Sequence, residues 1–344
     1  MTNPAGNRAH VHTEESLAGK TVLVTGADGF IGSHLVEKLV AAGANVRAFC
    51  VYNSQGSWGW LDGVSPEIKA KLDVRLGDIR DARFCEVACE GVDTVFHLAA
   101  LIAIPYSYSA PESFVDTNVK GTLHLLEGAR RAKVRRFIQT STSEVYGTPS
   151  DVPIRETHPM NAQSPYAATK VASDQLAIAY HLSFEVPVVV LRPFNTFGPR
   201  QSTRAVLPTI LTQLLEGKRE IQLGRLDPKR DLTYVGDTCD GFLRAAVAPE
   251  AVGKQIQLGT GVTVSIGELF DACCRVVGVE AKAIVDPRRL RPEGSEVMIL
   301  LSDPSYAKQV LDWEPKVSLE QGLHQTAEWL EGAMAHYNTG YLHV

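Results

Sequence analysis

Nowhere in its 344 residues does the chain approach the roughly 20 consecutive apolar residues that a membrane span requires. Its polar start, MTNPAGNRAHVHTEES, also lacks the apolar core of a secretion signal, so a cytoplasmic location is expected. A basic stripe is missing as well. The 34 lysines and arginines are interspersed with 39 aspartates and glutamates, for a formal charge of −5, and no face would neutralise a row of phosphates. Neither nucleic acid nor a membrane is expected as a partner. The six cysteines include no CxxC pair, and a core of this size needs no disulfide framework. Cys85 and Cys89, four apart on an expected helix, share a face. With no histidine or second cysteine pair at ligand spacing, they are read as buried thiols and no metal is expected. Repeats and low-complexity tracts are absent, and a hydrophobic content of 44 % makes the bulk of the chain globular.

What is present, from residue 20 on, is one pattern repeated: a short β-branched run, a turn, then an amphipathic stretch. The expected strands are 21–26, 44–51, 72–78, 92–100, 134–142 and 186–193, and the expected helices 32–42, 81–89, 113–132 and 166–184. Apolar strands alternating with helices predict an α/β fold, a doubly wound parallel sheet covered on both faces, whose ligands sit outside the carboxyl ends of the strands. After Pro193 the regularity lapses into a loop, a helix near 205–216, and the runs REIQLG, RDLTYVGD and KQIQLGTG. The expected division is a dinucleotide-binding domain over 16–192, joined by late sheet elements from about 230–260, and a smaller, interleaved C-terminal substrate-binding region over 193–335. Residues 1–15 and 336–344 read as loose ends.

The first strand runs into TGADGFIG, whose Gly26, Gly29 and Gly32 precede the helical SHLVEKLVAAG. Gly26 suits the tight turn, Gly29 a close approach of backbone to a pyrophosphate, and Gly32 the packing of helix on strand. The helix N-terminus offers unpaired N–H groups and the positive end of its dipole. This is the Rossmann arrangement for a dinucleotide, strengthened by having both strand and helix in place. An acid that would select NAD belongs 18 residues past the last glycine, but that position is Cys50. Asn53 or Ser54 could bond the ribose of either NAD or NADP, so the choice stays open with a lean to NAD. Asp78 and Ile79, at the end of the third strand, are placed to hold the adenine.

Tyr166 and Lys170, in YAATK, lie one helical turn apart. A neighbouring ammonium and a positive nicotinamide both favour phenolate, so this tyrosine is expected to act as a base of lowered pKa. STSEVYG ends the fifth strand and puts Thr142, Ser143 and Glu144 where the nicotinamide would arrive. Asn118 is a candidate for orienting a proton-relay water, whereas His97 and His34, in apolar or helical runs, read as structural.

TGADGFIG, GDIRD, FHLAA, STSEVYG, YAATK, RPFNTFGPRQ and RDLTYVGD, in this order and spacing, resemble the extended short-chain dehydrogenase/reductase family, specifically its nucleotide-sugar epimerases, dehydratases and decarboxylases. The resemblance covers roughly residues 19–330. It implies a homodimer built through the two long helices containing Asn118 and Tyr166, a four-helix interface, with a nucleotide diphosphate-sugar bound in the C-terminal part. It adds Phe30, Ile31, Leu98, Ala99, Ala100, Asn118, Tyr166 and Lys170 to the cofactor contacts. The triplet Thr142, Ser143, Glu144 is similar to that of the hexose 4,6-dehydratases of the GDP-mannose type, with Ser143 where the dTDP-glucose type has an aspartic acid. Glu144 would then serve as both base and acid. UDP-glucuronate decarboxylases, with a very similar triplet, and 4-epimerases are the alternatives, and a non-catalytic nucleotide-sensing scaffold is a further one.

The implied reaction follows from acidity. Tyr166 takes the 4-hydroxyl proton while hydride leaves C4 for the cofactor, and the resulting ketone acidifies the C5 proton for Glu144. Thr142 hydrogen-bonds the 4-oxygen, water leaves from C6, and hydride returns there, so the cofactor is expected to stay tightly bound. For the substrate diphosphate the resemblance implies Asn195, Arg230 and Arg291, with Arg200 a further candidate and Glu293 or Glu296 reaching the nucleotide ribose. Arg200 and Arg204 could also supply the cation a decarboxylase needs. The insertion YNSQGSWGWLDG, read as either a clamp for its own loop or part of the active-site wall, is similar to the loop in dehydratases of the legionaminic acid pathway, which act on GDP-N-acetylglucosamine. That sugar nucleotide is the expected substrate, with UDP-N-acetylglucosamine next.

Overall fold

The computed structural model describes residues 16–337. The strand and helix alternation resolves into β1 (Thr21–Thr25), α1 (Phe30–Ala41), β2 (Asn45–Val51), α2 (Pro66–Lys69), β3 (Leu72–Gly77), α3 (Ala82–Cys89), β4 (Thr94–His97), α4 (Ile104–Ser109), α5 (Pro111–Phe114), α6 (Gly121–Ala132), β5 (Arg136–Thr140), α7 (Pro165–Phe184) and β6 (Val188–Pro193). The second half adds β7 (Asn195–Phe197), α8 (Val206–Leu215), β8 (Glu220–Leu223), β9 (Lys229–Tyr234), α9 (Val235–Val247), β10 (Gln255–Leu258), β11 (Thr263–Ser265), α10 (Ile266–Val277), β12 (Lys282–Val285), β13 (Ile299–Leu300), α11 (Ser305–Leu311) and α12 (Leu319–Ala333).

Seven strands form one parallel sheet in the order β10-β6-β5-β4-β1-β2-β3. Alternate residues of each strand enter opposite layers. Val22, Val24, Val46 and Ala48 pack with α1, α9 and α11 on one face, while Leu23, Phe49, Val95 and Phe137 meet α3, α6 and α7 on the other. Burial on both faces is why these strands read as continuous apolar runs. The order reverses between β1 and β4, and the loops after those strands open the crevice in which a doubly wound sheet binds its ligand.

Two expectations change. Of the runs between 230 and 260, only β10 joins the main sheet, on the edge beside β6; β9 instead nucleates a second sheet with β7, β11 and β13. The stretch expected as one helix over 113–132 contains a π-turn at Val115–Lys120 between α5 and α6. The widened turn faces Asn118 inward, where its Oδ1 accepts from Leu101 N at 2.8 Å and its Nδ2 donates to Leu101 O and Thr169 Oγ1.

The smaller core of the second half packs α8, α10 and α12 around Leu211, Phe270 and Leu323. α10 and α12 start at serine caps, whereas α8 starts at Ala205 with no side-chain cap. Ser265 and Ser318 each close a capping box, with Glu268 and Gln321 respectively, satisfying N–H groups whose loss costs about 1 kcal/mol. The ends read as loose at 1–15 and 338–344 lie outside the described residues. His336 and Tyr337, expected to be loose with them, are instead packed: both rings lie against Trp60, and the Tyr337 hydroxyl donates to Gln201 O at 3.0 Å. Among the described residues no helix is long and apolar enough to cross a membrane.

Candidate active site

The glycine-rich loop has the shape its spacing predicts. Gly26 has φ +67°, and a Cβ there would meet Ala99 N at 2.9 Å and Ala99 Cα at 3.0 Å. The β4 loop can lie this close because Leu98 N and Ala99 N both donate to Thr25 Oγ1, at 3.2 and 3.1 Å. At Gly32 a Cβ would stand 2.0 Å from Gly26 O, so α1 seats directly on the turn. With Phe30 and Ile31 opening α1, the N-terminus of a twelve-residue helix faces the space in front of Gly29. These residues fit the pyrophosphate of a dinucleotide: a bare backbone cradle at a positive dipole end, with no side chain filling it.

The other expected cofactor contacts divide. Asp78 holds its neighbour Arg80 and its carboxyl lies below the usual range because of that bond. Ile79 is buried, and its side chain packs where a Cβ on Gly121 would be. Asn53 spends its side chain on its own loop, accepting from Gln55 N and Ser57 N and donating to Ser57 O and Val51 O; Ser54 is exposed. Asn118, bonded to Leu101 and Thr169 as described, joins the β4 loop to α7.

The chemical residues converge from two elements. Thr140 ends β5, and a 3-10 turn over Ser143–Tyr146 follows, capped by Thr142, whose Oγ1 accepts from Glu144 N at 3.2 Å. Tyr166 stands in the first turn of α7, started by Ser164 and Pro165, and hydrogen-bonds the Thr142 side chain. The Thr142 hydroxyl therefore accepts from the backbone and has its proton free for the Tyr166 oxygen. Burial raises the Tyr166 phenol above its ordinary range; the Thr142 bond opposes this and the carboxylates of Glu144 and Asp174 add to it. The lowering expected from Lys170 is not among these influences, and its ammonium donates instead to Thr140 O at 2.6 Å. Burial brings the Lys170 ammonium down to about 8, with Asp174 holding it up. Ser143 is buried, and Glu144, half-buried, acts on both the Tyr166 phenol and the Arg230 guanidinium.

Behind these residues lies a network that sequence reasoning missed. Asp174, fully buried, accepts from Ser141 Oγ at 2.7 Å and from Arg192 Nε and Nη2 at 3.1 Å. Arg192 in turn donates to the Tyr146 hydroxyl at 2.8 Å and stacks over the ring. The spacing of Tyr166, Lys170 and Asp174, at i, i+4 and i+8, was the available signal.

On the substrate side, Arg230 on β9 is buried, which works against its charge, while Glu144 and Glu296 support it. Its Nη2 donates to Glu296 Oε1 at 3.1 Å, and Arg291 Nη1 approaches the same oxygen at 3.7 Å. Two guanidiniums thus share one carboxylate, leaving a surplus positive charge. Asn195 opens β7, which pairs in register with β9, and its Oδ1 is buried without a partner. Arg291, Glu293 and Glu296 line a cleft of about 570 Å³ together with Arg225, which the sequence reading had not singled out. Tyr108 of α4 reaches this region and bonds Ser295 Oγ at 2.6 Å.

Arg200 lies elsewhere: its Nη1 is on Glu37 of α1 at 2.7 Å, beside His34, whose ring bonds Pro199 O. It ties the loop after β7 to α1. His97 is the structural residue expected, bonded to Thr25 and Thr122 and held neutral by burial at about 3. Trp60 is not in the active-site wall; it packs on Trp329 of α12 at 5.4 Å between ring centroids.

The sequence model of the family described as GDP-mannose 4,6-dehydratase matches residues 23–326. A UDP-glucose 4-epimerase of Mycolicibacterium smegmatis is 35 % identical over 313 residues, covering 89 % of this chain and 97 % of that one. A dTDP-glucose 4,6-dehydratase of Actinoplanes sp. is 35 % identical over 318 residues, covering 90 % and 97 %. Among solved structures, DesIV, the dTDP-glucose 4,6-dehydratase of Streptomyces venezuelae, determined with NAD bound, superposes with a TM-score of 0.82 at 29 % identity, covering 92 % and 98 %. Since these matches run from the glycine loop through the second half, the protein belongs to the GDP-mannose 4,6-dehydratase-like family of extended short-chain dehydrogenases/reductases, which holds nucleotide-sugar 4,6-dehydratases and 4-epimerases.

Proposed function

We propose that the protein is a nucleotide-sugar 4,6-dehydratase, a hydro-lyase. The observation that carries this reading is Glu144, a carboxylate whose charge bears on both Tyr166 and Arg230. A 4-epimerase needs only to remove and restore hydrogen at C4. Elimination of water needs a base for the C5 proton as well, and a carboxylate beside Tyr166 supports giving Glu144 that role.

Burial holds the Tyr166 phenol up, and a bound, positively charged nicotinamide would favour its phenolate, which accepts the 4-hydroxyl proton while the Thr142 hydroxyl turns from Tyr166 to the sugar 4-oxygen as charge develops there. A nicotinamide cofactor held at the loop over residues 26–31 would supply the hydride acceptor for C4 and the hydride donor for C6. Glu144 removes the C5 proton made acidic by the neighbouring ketone and delivers it to the departing 6-hydroxyl, because Ser143 offers no acid there; once C6 has its hydride, the enolate takes a proton at C5 from solvent by way of Glu144, and Tyr166 releases to solvent the proton it took from the 4-hydroxyl. Arg230, Arg291 and Asn195 hold the diphosphate and fix the sugar against these groups. We assign NAD as the cofactor, retained through the cycle because no net redox occurs.

For the substrate we propose GDP-N-acetylglucosamine first and UDP-N-acetylglucosamine next, on the resemblance of the 52–63 loop. Arg200, paired with Glu37, is unsuited to meeting a C6 carboxylate, which leaves exposed Arg204, bonded to Ser202 Oγ, as the cation a decarboxylase would need. We also propose a homodimer through α6 and α7. The outer face of α7 exposes Ala168, Gln175, Ala179 and Leu182, positions free of charge and apolar but for the Gln175 amide. The test is to incubate the purified protein, without added cofactor, with each amino-sugar nucleotide and with UDP-glucuronate. Loss of one water from an amino sugar is expected. Loss of carbon dioxide from the glucuronate, or a change of configuration at constant mass, would replace this reading with the decarboxylase or the epimerase.

A further inference from the structure

The acid that distinguishes the two nicotinamide cofactors belongs at the carboxyl end of β2, where it would meet the adenosine ribose. This chain has Cys50 there, fully buried and with its thiol pushed up to about 12. A buried, protonated thiol offers the ribose nothing. The structure brings a different acid to the same place. Asp28, in the glycine-rich loop, turns its carboxylate onto the end of β2, where its Oδ2 accepts from Val51 N at 3.4 Å.

The carboxylate is poorly satisfied. Burial raises its pKa, and only backbone N–H groups, its own and that of Val51, oppose the rise; no cation does. A half-buried carboxylate met only by backbone N–H groups and no counter-charge has free acceptor capacity toward whatever fills the crevice. It is also held firmly. The 52–63 insertion folds over it, with Trp60 N donating to Asp28 O at 3.1 Å. Gly59, at φ +58°, comes so near that a Cβ on it would stand 2.5 Å from Asp28 O and 2.9 Å from Asp28 Cβ. Arg80, after β3, is committed to Asp78 through both its guanidinium edge and its backbone N–H.

We propose that Asp28 replaces the missing second-strand acid, accepting hydrogen bonds from the adenosine ribose hydroxyls and repelling a 2′-phosphate, so that it selects NAD over NADP. Its two oxygens suit two vicinal hydroxyls, and a phosphate at the 2′ position would bring like charge against a carboxylate with no cation at hand. This deepens the cofactor assignment made under the proposed function, but it does not depend on which sugar is turned over or how.

The test uses nucleotide binding, not turnover. Nucleotide released on denaturing the purified protein is identified by mass, and NAD is expected. The cofactor-stripped protein is then titrated with 5′-ADP and with adenosine 2′,5′-bisphosphate by calorimetry. The wild type should favour 5′-ADP by on the order of a hundredfold. Asp28→Asn should weaken 5′-ADP about tenfold, strengthen the bisphosphate, and bring the two within a few fold of each other. Should Asp28→Asn fail to fold, judged by its melting curve, Asp28→Ser supplies the same comparison. Release of NADP, or a preference unchanged by either substitution, overturns the proposal. A preserved shift in preference alongside no dehydration of any sugar nucleotide would instead overturn only the dehydratase reading.

Discussion

Replacing Asp174 by asparagine tests whether the buried network behind the active site sets the charge of Lys170. Asp174 and Arg192 are 0 % and 1 % exposed, and Lys170 is 5 % exposed, so one anion serves two buried cations. Asparagine keeps the shape and an acceptor for Ser141 but leaves both cations uncompensated. Breaking a buried pair from one side costs about 3–5 kcal/mol, and that range is expected for Asp174→Asn at pH 7. The cost should depend on pH, with a sign fixed by Lys170. Burial already lowers this lysine from its ordinary 10.5 to about 8, a penalty on the charged form of about 3 kcal/mol. A lysine with a depressed folded-state pKa binds fewer protons when folded than when unfolded, so stability rises with pH above that pKa. Without Asp174 the pKa falls further and the rise begins at lower pH. The variant should therefore recover part of its deficit between pH 7 and 9. Urea unfolding across this range, with bound nucleotide at saturation, measures the deficit, and the alkaline limb of single-turnover C4 oxidation should move to lower pH in the variant. A loss under about 1 kcal/mol with an unmoved limb would refute the coupling.

Three further outcomes are expected. Glu144→Gln should oxidise C4 but stop there, so reduced nicotinamide accumulates under ultraviolet absorbance and no water is lost, whereas Tyr166→Phe should give neither signal; near-full dehydration by Glu144→Gln would remove it as the base. Gly26→Ala places a methyl group against Ala99 N at a positive φ, and should cost at least about 2 kcal/mol in thermal unfolding and release the cofactor on purification. Ala179→Arg puts charge on the outer face of α7 and should convert a particle of twice 37.4 kDa into a monomer by light scattering, with unchanged melting of the monomer core.

The Rossmann half was legible because its signals are local. A β-branched run followed by a glycine turn and a helix repeats within a few dozen residues, and each β strand from 1 to 6 appeared within two or three residues of its expected bounds. The second half was less so: β7, β11, β12 and β13 are two to four residues long and gain their identity only from pairing with strands far along the chain. Among site residues, Tyr166, Lys170, Thr142 and Glu144 could be named because a helical turn and a strand end bring them to one place. Arg200 could not be placed, because nothing local indicates that Glu37, more than 160 positions earlier, takes its charge. Asp28 was hidden in a motif read for its glycines.

The contact of Trp60 with Trp329 and Tyr337 bears on how the molecule is made. The loop that clamps Asp28 lies in the first fifth of the chain, while the rings that back it belong to the last helix and the residue at the end of the described chain. As the polypeptide emerges during synthesis, β1, α1 and the glycine turn can assemble early from neighbouring residues, but the platform under Trp60 arrives last. The nucleotide crevice is therefore finished only after α12 and Tyr337 have been made, and the dinucleotide closes on a crevice already backed by them instead of templating a partial one.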